Sequence, residues 1–358
     1  MVQKIQPIYL NELLIHPGET VLEMIQDRNI SQKELAIRTG FSEKHISTVI
    51  SGQKNISAEF AMKLEYALGV PASFWRNLQT NYDLEVVSFN EQHNISVEEQ
   101  NIAKELKGPV ETIMRTKIDT KNNTDIVYSL RQILGVSNLQ SITTLNPGFY
   151  RAQFAENTST NIMYVWQYLC ETKVEGQTTN QIDVNKLKDS IEKIKSVMHE
   201  DASKHISLIR DILNECGILF TVEKHAKNAP IKGLTVKTKK NQVMIALTIY
   251  GKYVDIFWFT LFHEIAHVLN GDYLKNQDLV ESSKKIEREA DQFAADTLID
   301  KNSYNIFVKY NDFSMQSIKN FASKVNILPT IVIGRLMNDK KIPWSYNQAR
   351  EQYAWKEE

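Results

Sequence analysis

A chain of 358 residues is longer than one hydrophobic core usually supports, so its length predicts two or three domains. Hydrophobic residues form 42% and charged residues 24% of the composition, which excludes a mainly disordered chain. The formal net charge of -1 excludes no class of partner, because binding depends on local patches of charge.

The cysteine content and the hydropathy pattern indicate where the protein resides. Cys170 and Cys216 are the two cysteines, too few for a disulfide framework or a cysteine metal site, so we expect a reducing compartment. The N-terminus lacks a charged leader with an apolar run, and no segment reaches the ~18 apolar residues of a membrane span. We therefore expect a cytoplasmic protein without a membrane partner.

The predicted elements change in type along the chain. Short helices with polar turns come first, followed by longer amphipathic helical runs. The β-branched runs GILFTVEK, KGLTVKT and NQVMIALTIY then predict a small sheet, and helices return from FWFTLFHEIAHVL onward. We predict an α+β fold, mostly helical, with an all-α domain at 1–85, a helical linker or scaffold at 86–205, and a sheet-plus-helices domain at 206–358.

Residues 31–52 have the pattern of a helix-turn-helix. Ser31 with Glu34 three residues later predicts a capping box, and Gly40 stands where the chain must turn. A second helix starts at Ser42, and its outward side would meet base edges in the major groove. We expect DNA contacts from Gln32, Lys33, Ser42, Glu43, Lys44, His45, Ser47, Thr48 and Lys54.

These candidate residues divide by role. Gln32, Lys33, Lys54 and the amides near Ser57 suit phosphate contacts, whereas the others lie near the start of the second helix, where side chains read bases. A helical bundle with a turn of the same length but without a DNA role has the same spacing. The acidic Glu43 and the lack of a basic excess count against tight binding.

The segment His16–Glu85 resembles, nearly end to end, the HigA/VapI antitoxin branch of the XRE-type helix-turn-helix family. In that family the module dimerises and represses its own promoter, often while it holds a toxin. The resemblance therefore implies operator DNA and a homodimer as partners. It leaves a toxin partner open.

The sequence HEIAH at 263–267 is a metal-binding motif on a predicted helix. Four residues is a little over one helical turn, so the imidazoles of His263 and His267 point the same way and can share a metal. Glu264 lies on the adjoining face, from which a carboxylate can take a proton from water. The neighbouring residues are apolar, and burying unpaired polar groups there would cost several kcal/mol. A metal explains this arrangement, but such a short motif also occurs by chance as a core or solvated histidine pair, so the prediction of zinc depends on a third ligand.

A carboxylate-rich helix, IEREADQFAADTLI, offers the third ligand of a catalytic zinc. On a helical wheel Glu287 and Asp291 lie on one side near the apolar face, whereas Glu289 points further toward solvent. We predict Glu287 as the ligand, with Glu289 as the alternative. Asp291 would accept the free ring N–H of a ligating histidine.

The motif and the helix after it look like the ImmA/IrrE family of metallopeptidases, from about Leu208 to the C-terminus. Longer helix-turn-helix fusions of that family also resemble this chain at 146–154 and 326–344. The resemblance implies a zinc-dependent endopeptidase that commonly acts on a repressor protein. Asp300 departs from the family, where many relatives have proline, and should affect a helix end and not the ligands.

For three further residues the evidence of a catalytic role is weaker. His225 follows a strand, but a lone loop histidine is more often at the surface. Tyr250 and Tyr273 flank the motif and could stabilise an oxyanion, although packing is the commoner role for each.

We therefore expect an operator-binding regulator whose C-terminal domain hydrolyses a peptide bond, with Glu264 as general base. The substrate would be another regulator, an antitoxin-like partner, or the protein itself around 81–101, held by strand addition to a sheet edge such as NQVMIALTI. One alternative is a non-catalytic antitoxin or repressor whose metal domain senses a signal or binds a partner. Another is a peptidase whose helix-turn-helix has become a protein-docking module.

Overall fold

The computed structural model describes residues 15–118, 123–144, 159–225, 231–249, 251–274 and 280–355, with the side chains of 92, 93, 123, 143 and 280–283 left undescribed. The chain divides into two compact units between Ser96 and Val97. The segment 146–154, which carries part of the family resemblance, lies outside the described residues. No described helix is long and apolar enough to cross a membrane.

The first unit is built from helices in its described part. They are α1 (Pro17–Asp27), α2 (Gln32–Thr39), α3 (Glu43–Ile50), α4 (Ala58–Leu68) and α5 (Ala72–Asn94). Ser31, Ser42 and Ser57 cap α2, α3 and α4, each accepting a hydrogen bond from the backbone N–H three residues later. Gly40 ends α2 with a φ of 74°, a left-handed turn that favours glycine.

The predicted helix-turn-helix core forms in this unit. Leu35 of α2 and both Ile46 and Val49 of α3 are fully buried, as their helical spacing predicts. They pack with Phe60 of α4 and Trp75 of α5, which are also fully buried. These apolar contacts hold α3 in place and leave its other side exposed.

The helix α5 continues past the domain boundary predicted at residue 85. It runs to Asn94, and the division between the two units follows it. Hydrophobic side chains such as Leu84 and Val87 are exposed along its second half. The three-part division of the chain stays a prediction. The described residues within 86–205 are mostly helical, as predicted.

The second unit contains helices and a small sheet, which confirms the predicted α+β class. Its α-helices before the sheet are α6 (Val97–Met114), α7 (Asn123–Leu134), α8 (Thr160–Val174), α9 (Val184–Ser196) and α10 (His205–Glu215). The strands are β1 (Ile218–Glu223), β2 (Gly233–Lys237) and β3 (Val243–Thr248). The α-helices after the sheet are α11 (Val254–Leu269), α12 (Val280–Leu298), α13 (Lys301–Tyr310), α14 (Met315–Lys324) and α15 (Pro329–Asn338).

The three strands lie in the order β1-β3-β2. β1 pairs with β3 in parallel, with Ile218 opposite Val243, and β2 pairs with β3 antiparallel, with Thr235 opposite Ile245. The expectation that NQVMIALTI forms an exposed edge is therefore wrong, because β3 is the central strand. Every residue of β3 is buried, as expected for a strand covered on both faces.

The helix α11 carries the metal motif and is almost entirely buried. It packs on β2, β3, α12 and α15. A C-terminal segment fixes its first turn: Arg350 forms a buried ion pair with Asp255, 2.6 Å between Nη2 and Oδ2. Tyr353 accepts a hydrogen bond from the indole N–H of Trp258, at 3.1 Å. The C-terminal segment thus holds the first two turns of α11.

Candidate metal centre and nucleic-acid interface

Three side chains of α11 and α12 converge on one point. Ligand atoms of His263, His267 and Glu287 all lie within 4.8 Å of one another. The Nε2 atoms of the two histidines are 3.0 Å apart, and Glu287 lies 3.2 Å from the first and 3.6 Å from the second. The helical spacing places the imidazoles side by side, and the packing of α12 on α11 brings the carboxylate to them.

The other nitrogen of each imidazole faces a carboxylate. His263 Nδ1 is 2.9 Å from Asp291 Oδ1, and His267 Nδ1 is 3.0 Å from Asp272 Oδ2. An ionised carboxylate only accepts hydrogen bonds, so each neutral imidazole carries its proton on Nδ1. The two Nε2 lone pairs then point at each other beside Glu287, a set of donors that fits a divalent cation.

The charges around this cluster also favour a cation. Burial alone would lower the pKa of His263, but hydrogen bonds to Asp291 and Glu287 outweigh it and raise the pKa to about 10. The carboxylates of Asp291 and Glu287 therefore favour positive charge at this cluster, whether a proton or a metal ion carries it. Burial raises the pKa of Glu264, whose side chain is 5% exposed.

Glu264 is held against the edge strand β2. Its Oε2 accepts a hydrogen bond of 2.6 Å from the hydroxyl of Thr235. Its Oε1 lies so close to Gly233 that a Cβ there would come within 2.5 Å. The sequence analysis did not find Gly233 or Thr235. The residues of β2 are separated in sequence from Glu264, and no local pattern shows which helix a strand packs against.

Asp272 is the other residue that sequence reasoning missed. It lies in a short 3-10 helix, Asp272–Leu274, just after α11, and is buried with His267. An aspartate five residues after the second histidine, beyond a glycine turn, is the signal that could have pointed to it.

The remaining candidates are placed outside the cluster or not described. Glu289 is half exposed and lies 3.8 Å from Lys285, so the structure places Glu287 and not Glu289 beside the histidines. Tyr273 is half-buried, with its pKa raised by burial, and the group of converging ligand atoms in the described residues includes neither it nor His225. Tyr250 lies outside the described residues. Asp300 caps α13, as expected of a helix-end residue.

The candidate DNA-contacting residues lie on one part of the first unit, at α2, at α3 and just after α3. Those with exposed side chains are Gln32, Lys33, Ser42, Glu43, Lys44, Ser47 and Lys54. Thr48 is half-buried, and its hydroxyl donates to the carbonyl of His45 at 2.9 Å.

His45 differs from the expected outward orientation. Its ring packs on Phe41 and Phe60, with centroid distances of 4.5 and 5.1 Å. Its Nε2 is buried without a hydrogen-bond partner among the described residues, and burial lowers the pKa of the ring. Attraction to neighbouring aromatic side chains, which a helical wheel of α3 alone omits, accounts for this inward packing.

Comparison with known proteins identifies both ends of the chain. The profile of the helix-turn-helix family matches residues 21–75. Virulence-associated protein I of Dichelobacter nodosus is 33% identical over 88 residues, which cover 24% of this chain and 82% of that protein. The chain belongs to this helix-turn-helix family. A helix-turn-helix transcriptional regulator of Escherichia coli K12, YddM, is 28% identical over 68 residues, 19% of this chain and 72% of that protein.

A solved structure of this helix-turn-helix type and a second family profile complete the comparison. The Pseudomonas aeruginosa antitoxin HigA, solved with higBA promoter, is 31% identical, with 23% of this chain and 96% of that chain covered and a TM-score of 0.21. The profile of the IrrE N-terminal-like domain, a peptidase family, matches residues 256–331. The chain thus joins a helix-turn-helix domain to an IrrE-like peptidase domain, as both resemblances predicted. The second matched range includes α11 and α12, which carry the cluster.

Proposed function

We propose that this protein is a DNA-binding regulator whose C-terminal unit is a zinc-dependent endopeptidase. The observation that carries the proposal is the convergence of His263, His267 and Glu287 next to a buried glutamate, Glu264, within a peptidase-family domain. A purely structural zinc site needs no such glutamate and usually has four protein ligands. Three ligands leave a position open for substrate and water.

His263, His267 and Glu287 would hold the zinc, with Asp291 and Asp272 orienting the two imidazoles. When bound, zinc supplies Lewis-acid chemistry that polarises a peptide carbonyl and makes water more acidic. Glu264 would take the proton from the attacking water and pass it to the leaving amine. Its raised pKa, caused by burial, suits a group that must both accept and release a proton.

The edge of β2 is the place where an extended substrate could bind. Lys232 and Thr238 make backbone hydrogen bonds to the central strand, to Thr248 and Gln242. Because the direction of backbone groups alternates along an antiparallel strand, those of Gly233 and Thr235 point away from β3. No other strand of the described residues pairs there. A peptide added to this edge would pass beside Glu264.

Strand addition favours an extended segment of another protein as substrate, such as a regulator or an antitoxin-like partner. The protein's own segment at 81–101 is a weaker candidate, because α5 runs to Asn94 and α6 begins at Val97. A helical segment would have to unfold before its backbone could pair with β2. The bond that is cut is therefore proposed to lie in another protein.

The helix-turn-helix domain would bind operator DNA through the exposed side of α3, with Lys44 and Ser47 near the bases and Lys33 and Lys54 near phosphates. We further propose that it binds as a homodimer, as the family resemblance implies. A mobility-shift assay with the DNA upstream of the gene tests the first point, and analytical ultracentrifugation tests the second. An unshifted probe together with intact peptidase activity would instead favour a protein-docking module.

The peptidase proposal is tested by zinc content and fragment formation. Wild type should bind one zinc per chain and cut a candidate regulator, with fragments followed by intact mass. Glu287→Ala should no longer bind zinc, whereas Glu264→Gln should bind zinc but no longer cleave the regulator. Glu289→Ala is the matched control and should retain both, because its carboxylate lies outside the cluster. A wild type that takes up no zinc contradicts the proposal; zinc without any cut favours a sensor.

A further inference from the structure

We propose that the edge strand β2 positions the general base. Gly233 leaves the space that the Glu264 side chain occupies, and the hydroxyl of Thr235 holds one of its carboxylate oxygens by a hydrogen bond. This inference rests on the proposed function, in which Glu264 is the base. It names two positioning residues in the chain segment before the metal motif.

The space at Gly233 is required for steric reasons. A Cβ at this position would lie 2.5 Å from Glu264 Oε1, 2.8 Å from Glu264 Cγ and 2.7 Å from the methyl group of Thr260. The φ of Gly233 lies outside the left-handed region, so its backbone conformation does not itself call for glycine. Any larger residue would therefore displace the Glu264 side chain or separate β2 from α11.

Thr235 fixes the other oxygen of the same carboxylate. Its hydroxyl donates to Oε2 of Glu264 at 2.6 Å and reaches the backbone carbonyl of Glu264 at 3.1 Å. The hydroxyl and the carboxylate are both buried, so water does not easily replace this hydrogen bond. β2 therefore fixes both ends of the carboxylate, Oε2 by this hydrogen bond and Oε1 by the space left at Gly233.

The strand β2 would then both position Glu264 and bind the substrate. The side-chain positions of residues 233 and 235 face Glu264, while their backbone groups face the outer edge where a substrate strand would pair. A peptide that pairs with this edge would come to rest at a set distance from Oε1. The register of the substrate and the position of the base would thus depend on the same two residues.

The first test measures stability and is independent of catalysis. Gly233→Ala should lower the Tm by a few degrees in wild type, because the added methyl group overlaps Glu264. In a Glu264→Ala background the same substitution should lower the Tm clearly less. Two of the three atoms that the new Cβ would overlap, Oε1 and Cγ of Glu264, are then absent. Gly108→Ala is the matched control: a Cβ there meets nothing within 4 Å, so its effect should be the same in both backgrounds. If Gly233→Ala lowers the Tm equally in both backgrounds, Gly233 does not make room for Glu264 and the proposal is overturned.

The second test measures turnover with the peptide substrate and zinc content together. Thr235→Val should lower kcat on the order of tenfold or more, as expected when a supporting hydrogen bond is lost, with KM and zinc content little changed. Thr235→Ser keeps the hydroxyl and should restore most of kcat. The exposed Thr172→Val serves as the control.

The outcomes separate this inference from the proposed function. If Thr235→Ser is as slow as Thr235→Val, or if both lose zinc, Thr235 does not hold the base and the inference fails. If wild type binds zinc and cuts no peptide, the peptidase proposal fails. The stability test then still decides whether Gly233 makes room for Glu264.

Discussion

His267 Nδ1 lies 3.0 Å from Asp272 Oδ2, and both side chains are only 3% exposed. The two residues meet because the chain reverses after α11, where Gly271 has a φ of 69°. Asp272 therefore returns beneath the last turn of the helix. A buried imidazole has few orientations when one of its nitrogens is held in this way, so its Nε2 stays directed at the cluster.

We expect Asp272→Ala to weaken zinc binding by roughly 10- to 100-fold, the usual effect of losing a partner of a ligating histidine. Asp272→Asn should weaken it less, because the amide oxygen can still accept the Nδ1 proton. Competition with a chelator of known zinc affinity measures both. The exposed Glu289→Ala is the control, and an unchanged affinity in Asp272→Ala would show that packing alone orients His267.

Asp291→Ala should weaken zinc binding less than Asp272→Ala does. Its carboxylate also accepts from a histidine Nδ1, at 2.9 Å, but its side chain is 56% exposed. Water can therefore replace the carboxylate as the acceptor for His263. The same chelator competition checks this order, and a larger loss for Asp291→Ala would contradict it.

Arg350→Ala should destabilise the second unit strongly. It removes the partner of Asp255, which is buried beneath Gly334 in the first turn of α11. Breaking a buried ion pair costs about 3–5 kcal/mol in the free energy of unfolding. Chemical denaturation measures the loss, and the solvent-exposed Lys341→Ala is the control.

The loss in Arg350→Ala should depend on pH. Burial already raises the pKa of Asp255 in the wild type, and removal of Arg350 takes away the groups that oppose this rise. A carboxyl with a raised folded-state pKa adds stability below its unfolded pKa, about 3.9, and loses it as pH rises through the folded value. The deficit against wild type should thus shrink at acidic pH. A deficit that is constant with pH would mean that packing dominates.

Lys44 and His45 should behave differently despite being neighbours in α3. Lys44→Ala should weaken binding to the operator more than binding to unrelated DNA, because it removes a base contact, and it should leave the Tm unchanged. His45→Ala should lower the Tm, because it removes the packing against Phe41 and Phe60. Mobility shifts with operator and with unrelated DNA measure the binding, and thermal unfolding measures the Tm. The exposed Lys319→Ala is the control. A Tm loss for Lys44→Ala would contradict this assignment.

Much of the local structure could be predicted from the sequence. Serine caps, the turn at Gly40 and the buried face of α3 follow from short-range rules of helix geometry, which act within a few residues. The same helical period of about 3.6 residues per turn places His263 and His267 on one side of α11. The family profiles at both ends of the chain agree with the two domains that these patterns indicated.

The partners of these residues come from elsewhere in the chain, and only the tertiary structure decided them. Thr235 and Gly233 reach Glu264 because β2 lies at the sheet edge beside α11, and Arg350 reaches Asp255 because the C-terminal segment returns to the start of that helix. The order β1-β3-β2 likewise depends on packing, since three short apolar strands have no local signal for which of them is central. Spacing within one helix determines which side chains share a face, because backbone hydrogen bonds impose its period. Which distant groups meet that face depends on how buried surfaces fit together.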